Sequence, residues 1–254
     1  MKVVIIGGTG LIGSKVTARL RELGHDVFPA APNTGVNTIT GEGLDDALKG
    51  ANVVIDVANS PSFEDQAVMD FFQTSGSNLL AAEARAGIEH HVVLSVVATD
   101  RLQESGYFRA KAVQENLVIN SDIPYSIVRS TQFFEFLKGI TDAATSGNEV
   151  RLAPVGIQPI AADDVALQIT EVAIGQPING TIEIAGPNLY MLPDLVTQYL
   201  IDREDKRDVK VDEGARYFGA RLNVKTLVPG GNAHLGTTDF TTWLQSIMVK
   251  LPNA

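Results

Sequence analysis

The stretch that decides the fold is Val3–Gly13, which reads VVIIGGTGLIG. A short apolar run leads directly into a glycine-rich turn, and apolar residues then recur at helical spacing over Ser14–Leu23. The pattern predicts a strand, a turn and a helix in which Gly7 makes the turn, Gly10 leaves room for a phosphate and Gly13 lets the helix approach the strand. Unpaired N–H groups at such a helix N-terminus attract negative charge. The stretch therefore predicts a site for the pyrophosphate of a dinucleotide.

Composition limits the classes of function. The chain has 254 residues, of which 44% are hydrophobic and 20% charged, and a net charge of −10, so a broad basic surface for nucleic acid is not expected. It has no cysteine, which excludes a disulfide frame and a thiolate metal site, and we expect no metal. No apolar run approaches the roughly 20 residues of a membrane span. With no signal peptide evident, we expect a cytoplasmic protein without a membrane partner.

Strand-like and helical patterns alternate through the first two thirds of the chain. Short apolar runs predict strands at Lys2–Ile6, Asp26–Ala30, Val53–Val57, His91–Val97 and Tyr125–Arg129. Helical patterns lie between them, at about Leu11–Leu23, Glu64–Ala86, Tyr107–Asn120 and Thr131–Thr145. Buried strands alternating with helices indicate an α/β protein with a Rossmann-type doubly wound parallel sheet.

The pattern changes after residue 147. Further strands are predicted at Glu149–Leu152 and Thr181–Ala185, and further helices at Asp163–Ile174, Leu192–Ile201 and Thr238–Leu251. The charge run at residues 202–208 indicates a solvated turn, and residues 229–236 a loop. We expect residues 1–147 to form the NAD(P)-binding Rossmann core. Residues 148–254 would add the remaining core elements and a small C-terminal α+β cap over the substrate, in one structural unit.

A second informative cluster joins Ser95, near the end of a predicted strand, to Tyr107 and Lys111 at the start of a helix. A tyrosine and a lysine four residues apart project from one helix face. A lysine cation favours the phenolate and lowers the tyrosine pKa, which suits proton transfer. Lysine could also bind a ribose, and a serine hydroxyl could hold a carbonyl. Each residue alone has a structural interpretation too, and Thr99 is a second hydroxyl candidate.

Several motifs together resemble one known family. They are GGTGLIG at 7–13, DVANS at 56–60, LSVV at 94–97, YFRAK at 107–111, IPYSIVR at 123–129, TQFF at 131–134 and QPIAADDVA at 158–166. The chain resembles the atypical short-chain dehydrogenase/reductases of the NmrA-like, NAD(P)H-binding branch over nearly its whole length. Many NmrA-like members lack the tyrosine, and some only sense the cofactor.

The resemblance implies roles for particular residues. The phosphate cradle would be Gly7, Thr9, Gly10, Leu11 and Ile12. The adenosine, or the bridge to the nicotinamide ribose, would be flanked by Ala58, Asn59 and Ser60. The catalytic set would be Ser95, Tyr107 and Lys111, with Lys111 also binding cofactor. The nicotinamide and substrate pocket would be lined by Thr131, Gln132, Phe133 and Phe134, with one phenylalanine serving the core.

The end of the second strand bears on the choice of cofactor. NAD-binding proteins usually carry an acid there for the ribose 2′-hydroxyl, but Asp26 lies at the opposite end of this strand. The carboxyl end offers Asn33 and Thr34, which could hold a 2′-phosphate with help from Lys15. We therefore expect NADP(H) to be favoured over NAD(H).

Four further polar residues lie outside the expected catalytic and cofactor-binding sets. His90 and His91 adjoin the start of a strand, at the end opposite the expected site, and are expected on the surface. His234 lies in a glycine-rich loop, from which it could reach a substrate. Asp163 is expected to cap the helix that follows it.

These residues support three functional hypotheses. The first is an NAD(P)H-dependent oxidoreductase that transfers hydride to a carbonyl, quinone or conjugated aromatic acceptor, with Tyr107 supplying the proton to a small apolar or aromatic substrate. The second is a redox sensor that binds NADP(H) without turnover and docks on a protein partner. The third is a tailoring reductase or oxygenase acting on an aromatic polyketide-like substrate. A homodimer is compatible with all three.

Overall fold

The computed structural model describes residues 1–248. Its strands, in chain order, are β1 (Lys2–Ile6), β2 (Asp26–Ala30), β3 (Val53–Asp56), β4 (His90–Val96), β5 (Tyr125–Ser130), β6 (Thr145–Ser146), β7 (Glu149–Leu152), β8 (Gly156–Ile157), β9 (Gly180–Ala185), β10 (Tyr190–Met191), β11 (Asp208–Val211) and β12 (His234–Leu235). Its helices are α1 (Leu11–Glu22), α2 (Leu44–Leu48), α3 (Asp65–Ala86), α4 (Gly106–Ile119), α5 (Leu137–Ala143), α6 (Ala162–Ile174), α7 (Leu192–Asp202) and α8 (Phe240–Met248).

Seven parallel strands form the main sheet, in the order β2-β1-β3-β4-β5-β9-β12. The strand order changes direction between β1 and β3, so the connections leave a crevice at the carboxyl ends of these two strands. Ligands of doubly wound sheets bind at such a crevice. The predicted α/β Rossmann-type fold is confirmed, and it places the glycine-rich turn at this crevice.

Both faces of the sheet are covered because β1 is buried along its length and its side chains alternate between two cores. Val3 and Ile5 pack with residues of α1 and α6, whereas Val4 and Ile6 pack with residues of α2 and α3. Helix α4 packs beside α3 on that second face. This alternation follows from the two-residue period of a strand.

The chain after residue 147 contributes strands both to the main sheet and to two smaller sheets. Strands β9 and β12 extend the main sheet, whereas β6, β7 and β11 form a three-stranded sheet and β8 pairs with β10. A separate apolar cluster joins these small sheets to α5, α7 and α8, and it contains Phe134, Tyr217 and Trp243.

Some predicted elements were wrong in extent. The predicted helix Thr131–Thr145 begins only at Leu137, after a single 3-10 turn at Phe134–Phe136. Residues 131–133 are extended because the backbone of Gln132 and Phe134 hydrogen-bonds to Ile160, at 2.9 and 3.0 Å. Tertiary pairing thus overrides a local helical pattern.

Short elements were missed. Helix α2 was not predicted, β11 begins at the end of the charge run, and β12 lies within the predicted loop 229–236. The closing helix covers Phe240–Met248 among the described residues, and the rest of its predicted span lies outside them. Within residues 1–248, no helix combines the length and apolar character needed to cross a bilayer.

Candidate functional site: a dinucleotide crevice with a free tyrosine

The glycine-rich turn leaves a bare backbone surface at the crevice. Gly7 has φ +76°, and a Cβ there would lie 2.9 Å from the Cα of Ala58. A Cβ on Gly13 would collide with the Gly7 carbonyl oxygen, so only glycine allows α1 to approach β1 so closely. Gly10 is the N-cap of α1 and has no side-chain cap, and a Cβ there would meet only the Gly7 oxygen, at 3.2 Å. The turn fits a pyrophosphate against free N–H groups.

The other predicted cradle residues contribute in different ways. Thr9 and Leu11 are exposed beside the turn, whereas the side chain of Ile12 is buried in the core, so Ile12 offers only its backbone N–H. Gly8 was not singled out from the sequence, yet a Cβ there would lie 2.5 Å from the Cα of Pro29 in β2. Gly8 is therefore required for the turn to pack against β2.

The loop after β3 lies directly beside this turn. The Ala58 N–H donates to the Asp56 carboxylate at 3.0 Å, and the Ser60 N–H donates to the Asn59 side chain at 3.0 Å, so the loop is held in place by its own residues. An open groove of about 250 Å³ adjoins Ser60, with Ile39 and Phe71 in its wall. The loop 58–60 thus borders the glycine turn at Ala58 and a partly apolar groove at Ser60.

At the end of β2, the residues expected to hold a 2′-phosphate differ in whether their polar groups are free. The Thr34 hydroxyl donates to Pro29 O at 2.9 Å and accepts from the Ala31 N–H at 2.8 Å, so it closes its own turn. Lys15 does not face this region and instead pairs with Asp163 at 2.7 Å. Asn33 is exposed, and its Oδ1 lies 3.4 Å from the Thr9 hydroxyl. Asn33 is therefore the member of this set whose amide N–H groups remain free among the described residues.

The segment after β5 carries polar atoms without partners. Thr131 is 1% exposed and Gln132 8% exposed. Neither the Thr131 hydroxyl nor either amide atom of Gln132 has a hydrogen-bond partner among the described residues. Buried polar groups are nearly always satisfied, and leaving one unpaired costs about 1–3 kcal/mol. Polar atoms left in this way fit a bound group with donors and acceptors of its own, such as a carboxamide.

The side chains of Phe133 and Phe134 lie in different surroundings. Phe133 stacks on the half-exposed Phe136 with ring centroids 5.1 Å apart. Phe134 is 1% exposed and stacks on Trp243 at 5.4 Å, within the core beneath α8. Phe134 is therefore a core residue and not a pocket wall.

Lys111 is turned toward the interior. Its ammonium donates to Leu94 O at 2.8 Å and to the Gln114 side chain, and it lies 4.6 Å from the centre of the Phe72 ring. Gln114 in turn donates to the Asp56 carboxylate at 2.8 Å. Burial lowers the pKa of Lys111 to about 8, although the carboxylates of Asp56 and Glu115 oppose this shift. Lys111 thereby ties α4 to the end of β4.

Ser95 belongs to a second buried network beneath α4. Its hydroxyl donates to Glu115 at 2.5 Å and lies 3.3 Å from the hydroxyl of Thr99. The Glu115 carboxylate also accepts two hydrogen bonds from Arg129, at 2.9 and 2.6 Å. The Ser95 hydroxyl is thus committed to Glu115 and makes no hydrogen bond with Tyr107.

Tyr107 stands apart from both networks. Its half-buried ring packs near Phe63, Phe72 and Phe108, with centroids 5.7, 6.1 and 5.7 Å away. Its hydroxyl makes no hydrogen bond within the described part of the chain. Burial raises the pKa of Tyr107 to about 12. The expectation of a lowered pKa was wrong, because the Lys111 ammonium is directed toward Leu94 and Gln114.

The expectation that His90 and His91 lie on the surface was wrong. Both side chains are buried, and His90 Nε2 hydrogen-bonds to the Ser126 hydroxyl at 2.8 Å while His91 Nδ1 hydrogen-bonds to the Glu83 carboxyl at 2.9 Å. Burial lowers the pKa of His91, but the Glu83 carboxylate outweighs this and raises it overall. One ring nitrogen of each histidine thus has a polar partner, on β5 or α3, which offsets part of the cost of burial. The other nitrogens, His90 Nδ1 and His91 Nε2, have no partner among the described residues.

Asp163 and His234 also lie elsewhere than expected. The first N–H of α6 donates to the carboxylate of Glu135 at 3.2 Å, so Glu135 caps this helix while Asp163 pairs with Lys15. His234 is exposed on the edge strand β12, in register with Ile184. Over residues 1–248, no group of three or more acidic or histidine side chains could hold a metal ion.

Comparisons with known proteins agree with this geometry. Residues 7–174 match the family model described as NAD(P)H-binding. The chain belongs to this family. Its motifs and fold place it among the atypical short-chain dehydrogenase/reductases of the NmrA-like branch.

The relatives of this family member are distant. Over 230 residues it is 27% identical to the chloroplastic divinyl chlorophyllide a 8-vinyl-reductase of Cucumis sativus, covering 75% of this chain and 54% of that protein. It is 23% identical to the photosystem II assembly factor Ycf39 of Synechocystis sp. (strain ATCC 27184 / PCC 6803 / Kazusa), covering 55% of this chain and 47% of that one. The chain thus spans about half the length of the curated relatives it matches.

Solved structures resemble this chain over nearly its whole length. A dTDP-4-dehydrorhamnose reductase from Bacillus anthracis str. Ames, in complex with NADP, matches with a TM-score of 0.72 and 15% identity over 99% of each chain. MoeE5, in complex with UDP-glucose and NAD, matches with a TM-score of 0.70 and 17% identity over 99% of this chain and 100% of that chain. At such low identity these structures show the shared fold alone.

Proposed function

We propose that this protein is an NAD(P)H-dependent reductase of a small apolar or aromatic substrate carrying a carbonyl, quinone or conjugated acceptor. The observation that carries the proposal is Tyr107, whose hydroxyl is free of hydrogen bonds to the described residues although its ring is packed among phenylalanines. A phenol whose hydroxyl is not used within the described residues is available to donate a proton to a bound substrate.

The chain's own residues would hold the cofactor at two ends. Gly7, Gly10 and the first N–H groups of α1 would bind the pyrophosphate, and Ala58, Asn59 and Ser60 would border the adenosine. Thr131 and Gln132 would hydrogen-bond the nicotinamide end. When bound, the reduced nicotinamide supplies a hydride to the acceptor carbon.

Tyr107 would donate the proton. Its high pKa keeps the phenol neutral at physiological pH, so the proton is present when the acceptor oxygen becomes basic. Phe63 and Phe72 pack beside the Tyr107 ring and would help to hold it in position. Lys111 and Ser95 would act as positioning residues, because they hold α4, and so Tyr107, against the ends of β4 and β5.

Turnover tests this proposal. We expect the purified protein to oxidise NADPH in the presence of a panel of quinones and aromatic ketones. Tyr107→Phe should lower kcat roughly 100- to 1,000-fold and leave the Kd for NADPH unchanged, because it removes only the proton donor. Tyr125→Phe, at the opposite end of the sheet, is the matched control and should behave as the wild type. Equal rates for Tyr107→Phe and wild type would overturn the role of Tyr107.

We further propose a preference for NADP(H). The end of β2 carries no acid that would repel a 2′-phosphate, and Asn33 has amide N–H groups free to bind one. Asn33→Asp should raise the Kd for NADPH about 10-fold and leave the Kd for NADH nearly unchanged, as measured by titration of intrinsic fluorescence. Asn33→Ser is the uncharged control. A wild-type protein that binds NADH more tightly than NADPH would contradict this preference.

A second candidate is a redox sensor without turnover. It is favoured by the fact that Ser95 and Lys111 are engaged in internal networks and do not form a set with Tyr107. One relative, Ycf39, is named an assembly factor. Tight NADPH binding without oxidation by any acceptor, together with capture of a protein partner, would support the sensor over the reductase.

A further inference from the structure

The ring of Phe63 lies on the solvent side of Tyr107. Its centroid is 5.7 Å from that of Tyr107, with 50° between the ring planes, and Phe63 is 64% exposed. The other rings beside Tyr107 are buried, since Phe72 is 1% exposed and Phe108 is 4% exposed. These two rings already supply the apolar packing of Tyr107 on its buried side. Phe63 therefore keeps most of its surface open to a ligand.

The loop that carries Phe63 is fixed by hydrogen bonds on both sides of the ring. The Ser62 N–H donates to the Ser60 hydroxyl at 3.3 Å, and the Glu64 N–H donates to the Ser62 hydroxyl at 3.2 Å. Serine turns of this kind restrict the backbone of a loop. The position of the Phe63 ring is thus set before any ligand binds.

The same loop is held against the start of α4. Arg109 donates to the carboxylate of Asp65, the first residue of α3, at 2.6 Å. A Cβ on Gly106 would collide with the Asp65 carboxylate and would lie 2.9 Å from the Asp65 Cα, so these two helix starts meet only because residue 106 is glycine. Since Tyr107 follows Gly106 directly, this contact sets the position of Phe63 relative to Tyr107.

The other end of the loop lies at the cofactor crevice. A Cβ on Gly7 would lie 2.9 Å from the Cα of Ala58, which precedes Phe63 by five positions. Five residues of extended chain span at most about 17 Å, so one short loop joins the glycine turn to the ring beside Tyr107. A substrate that takes a hydride from the nicotinamide and a proton from Tyr107 needs its reacting atoms about 3 Å from each donor. It therefore lies within reach of this loop.

We propose that Phe63 forms one wall of the substrate site and packs against an aromatic ring of the substrate. This inference rests on the proposed reductase function and narrows its substrate to acceptors whose reacting oxygen is carried on, or conjugated with, a planar ring system, such as naphthoquinones and aryl ketones. A substrate ring would cover apolar surface of Phe63 that is exposed in the protein alone, and contacts between aromatic rings add to the gain from burial. An aliphatic acceptor would gain only the burial.

A comparison of aromatic and aliphatic acceptors tests the proposal. Phe63→Leu should raise KM for 1,4-naphthoquinone about 10-fold and change kcat little, because it removes the aromatic wall and leaves the proton donor in place. KM for 2-cyclohexenone, which has no aromatic ring, should change less than about 2-fold. Phe63→Trp, which restores an aromatic wall, should return KM for the naphthoquinone to the wild-type value.

The matched control is Phe218→Leu. Phe218 is also an exposed phenylalanine on a loop, at 49% exposure, but within residues 1–248 its ring pairs with that of Tyr217 and not with that of Tyr107. This variant should keep the wild-type KM for both acceptors. Equal melting temperatures for the two Phe63 variants and the wild type would show that the fold is intact.

Ligand binding provides a readout that needs no turnover. The fluorescence anisotropy of 2-naphthol should rise when it binds the protein saturated with NADP⁺. Phe63→Leu should raise the Kd for 2-naphthol about 10-fold, because the contact between rings is lost. Phe63→Trp and Phe218→Leu should bind it as the wild type does.

The outcomes separate this inference from the proposed function. Turnover that depends on Tyr107, with KM for naphthoquinone unchanged in Phe63→Leu, would overturn the inference and leave the reductase intact. An equal rise in KM for naphthoquinone and cyclohexenone would also overturn it, since Phe63 would then act only by positioning Tyr107. Absence of turnover with every acceptor, together with weaker 2-naphthol binding by Phe63→Leu, would overturn the reductase and support the aromatic wall. A wild type that binds 2-naphthol no more tightly than Phe63→Leu would overturn the aromatic wall.

Discussion

The polar groups beneath α4 and those after β5 are equally buried but differ in how they are satisfied. Beneath α4, Lys111, Gln114 and Glu115 all find partners within the chain. After β5, Thr131 and Gln132 find none among residues 1–248. Since an unpaired buried group is costly, the first set contributes to the folded state and the second is available to a ligand. The difference separates residues that build the site from residues that bind at it.

The largest effect should come from breaking the paired set. Glu115→Ala would leave Arg129 and Ser95 without their shared carboxylate, and we expect it to lower the free energy of unfolding by about 3 kcal/mol. Urea denaturation would measure this. Glu115→Gln, which keeps an oxygen acceptor, should lose less. If Glu115→Ala is as stable as the wild type, the network does not stabilise α4.

Titration of Lys111 should produce the next largest effect. Between pH 8 and 10, the folded protein has lost the Lys111 proton, whereas the unfolded chain, with a pKa near 10.5, still holds it. The unfolded state then binds more protons, so the free energy of unfolding should rise with pH across this window, by about 2 kcal/mol. In Lys111→Met this rise should disappear. The same pH dependence in both proteins would show that Lys111 has an ordinary pKa in the fold.

The smallest expected change in stability comes from Gln132, and it is compared with the same substitution at Gln114. Gln132→Met removes unpaired polar atoms, so we expect it to stabilise the cofactor-free protein by about 1 kcal/mol while weakening NADPH binding several-fold. Gln114→Met should instead destabilise the protein by about 2 kcal/mol, because it removes one hydrogen-bond partner from the buried Lys111 ammonium and one from the Asp56 carboxylate. Thermal unfolding with and without NADPH would measure both. A loss of stability in Gln132→Met similar to that in Gln114→Met would show that Gln132 is also satisfied within the protein.

Local patterns predicted much of this molecule. The strands Lys2–Ile6 and Asp26–Ala30 have the predicted bounds because short apolar runs flanked by turns leave few alternatives. The glycine turn was equally readable, since a phosphate site and close helix packing need glycine at fixed spacings. The family assignment followed from the combination of such motifs.

Contacts between distant residues escaped prediction. The sequence places Tyr107 and Lys111 on one helix face, but it does not show that Leu94 and Gln114 capture the ammonium. The histidines at 90 and 91 could be placed inside only once Ser126 and Glu83 were known to face them.

The sequence by itself determined the Rossmann sheet, its dinucleotide crevice and the presence of a tyrosine at the start of α4. These depend on hydrophobic period and on glycine stereochemistry, which act over a few residues. Only the tertiary structure decided which polar groups are satisfied and which are free. Hydrogen-bond partners come from strands and helices far apart in the chain, and their pairing depends on distances that the fold alone sets.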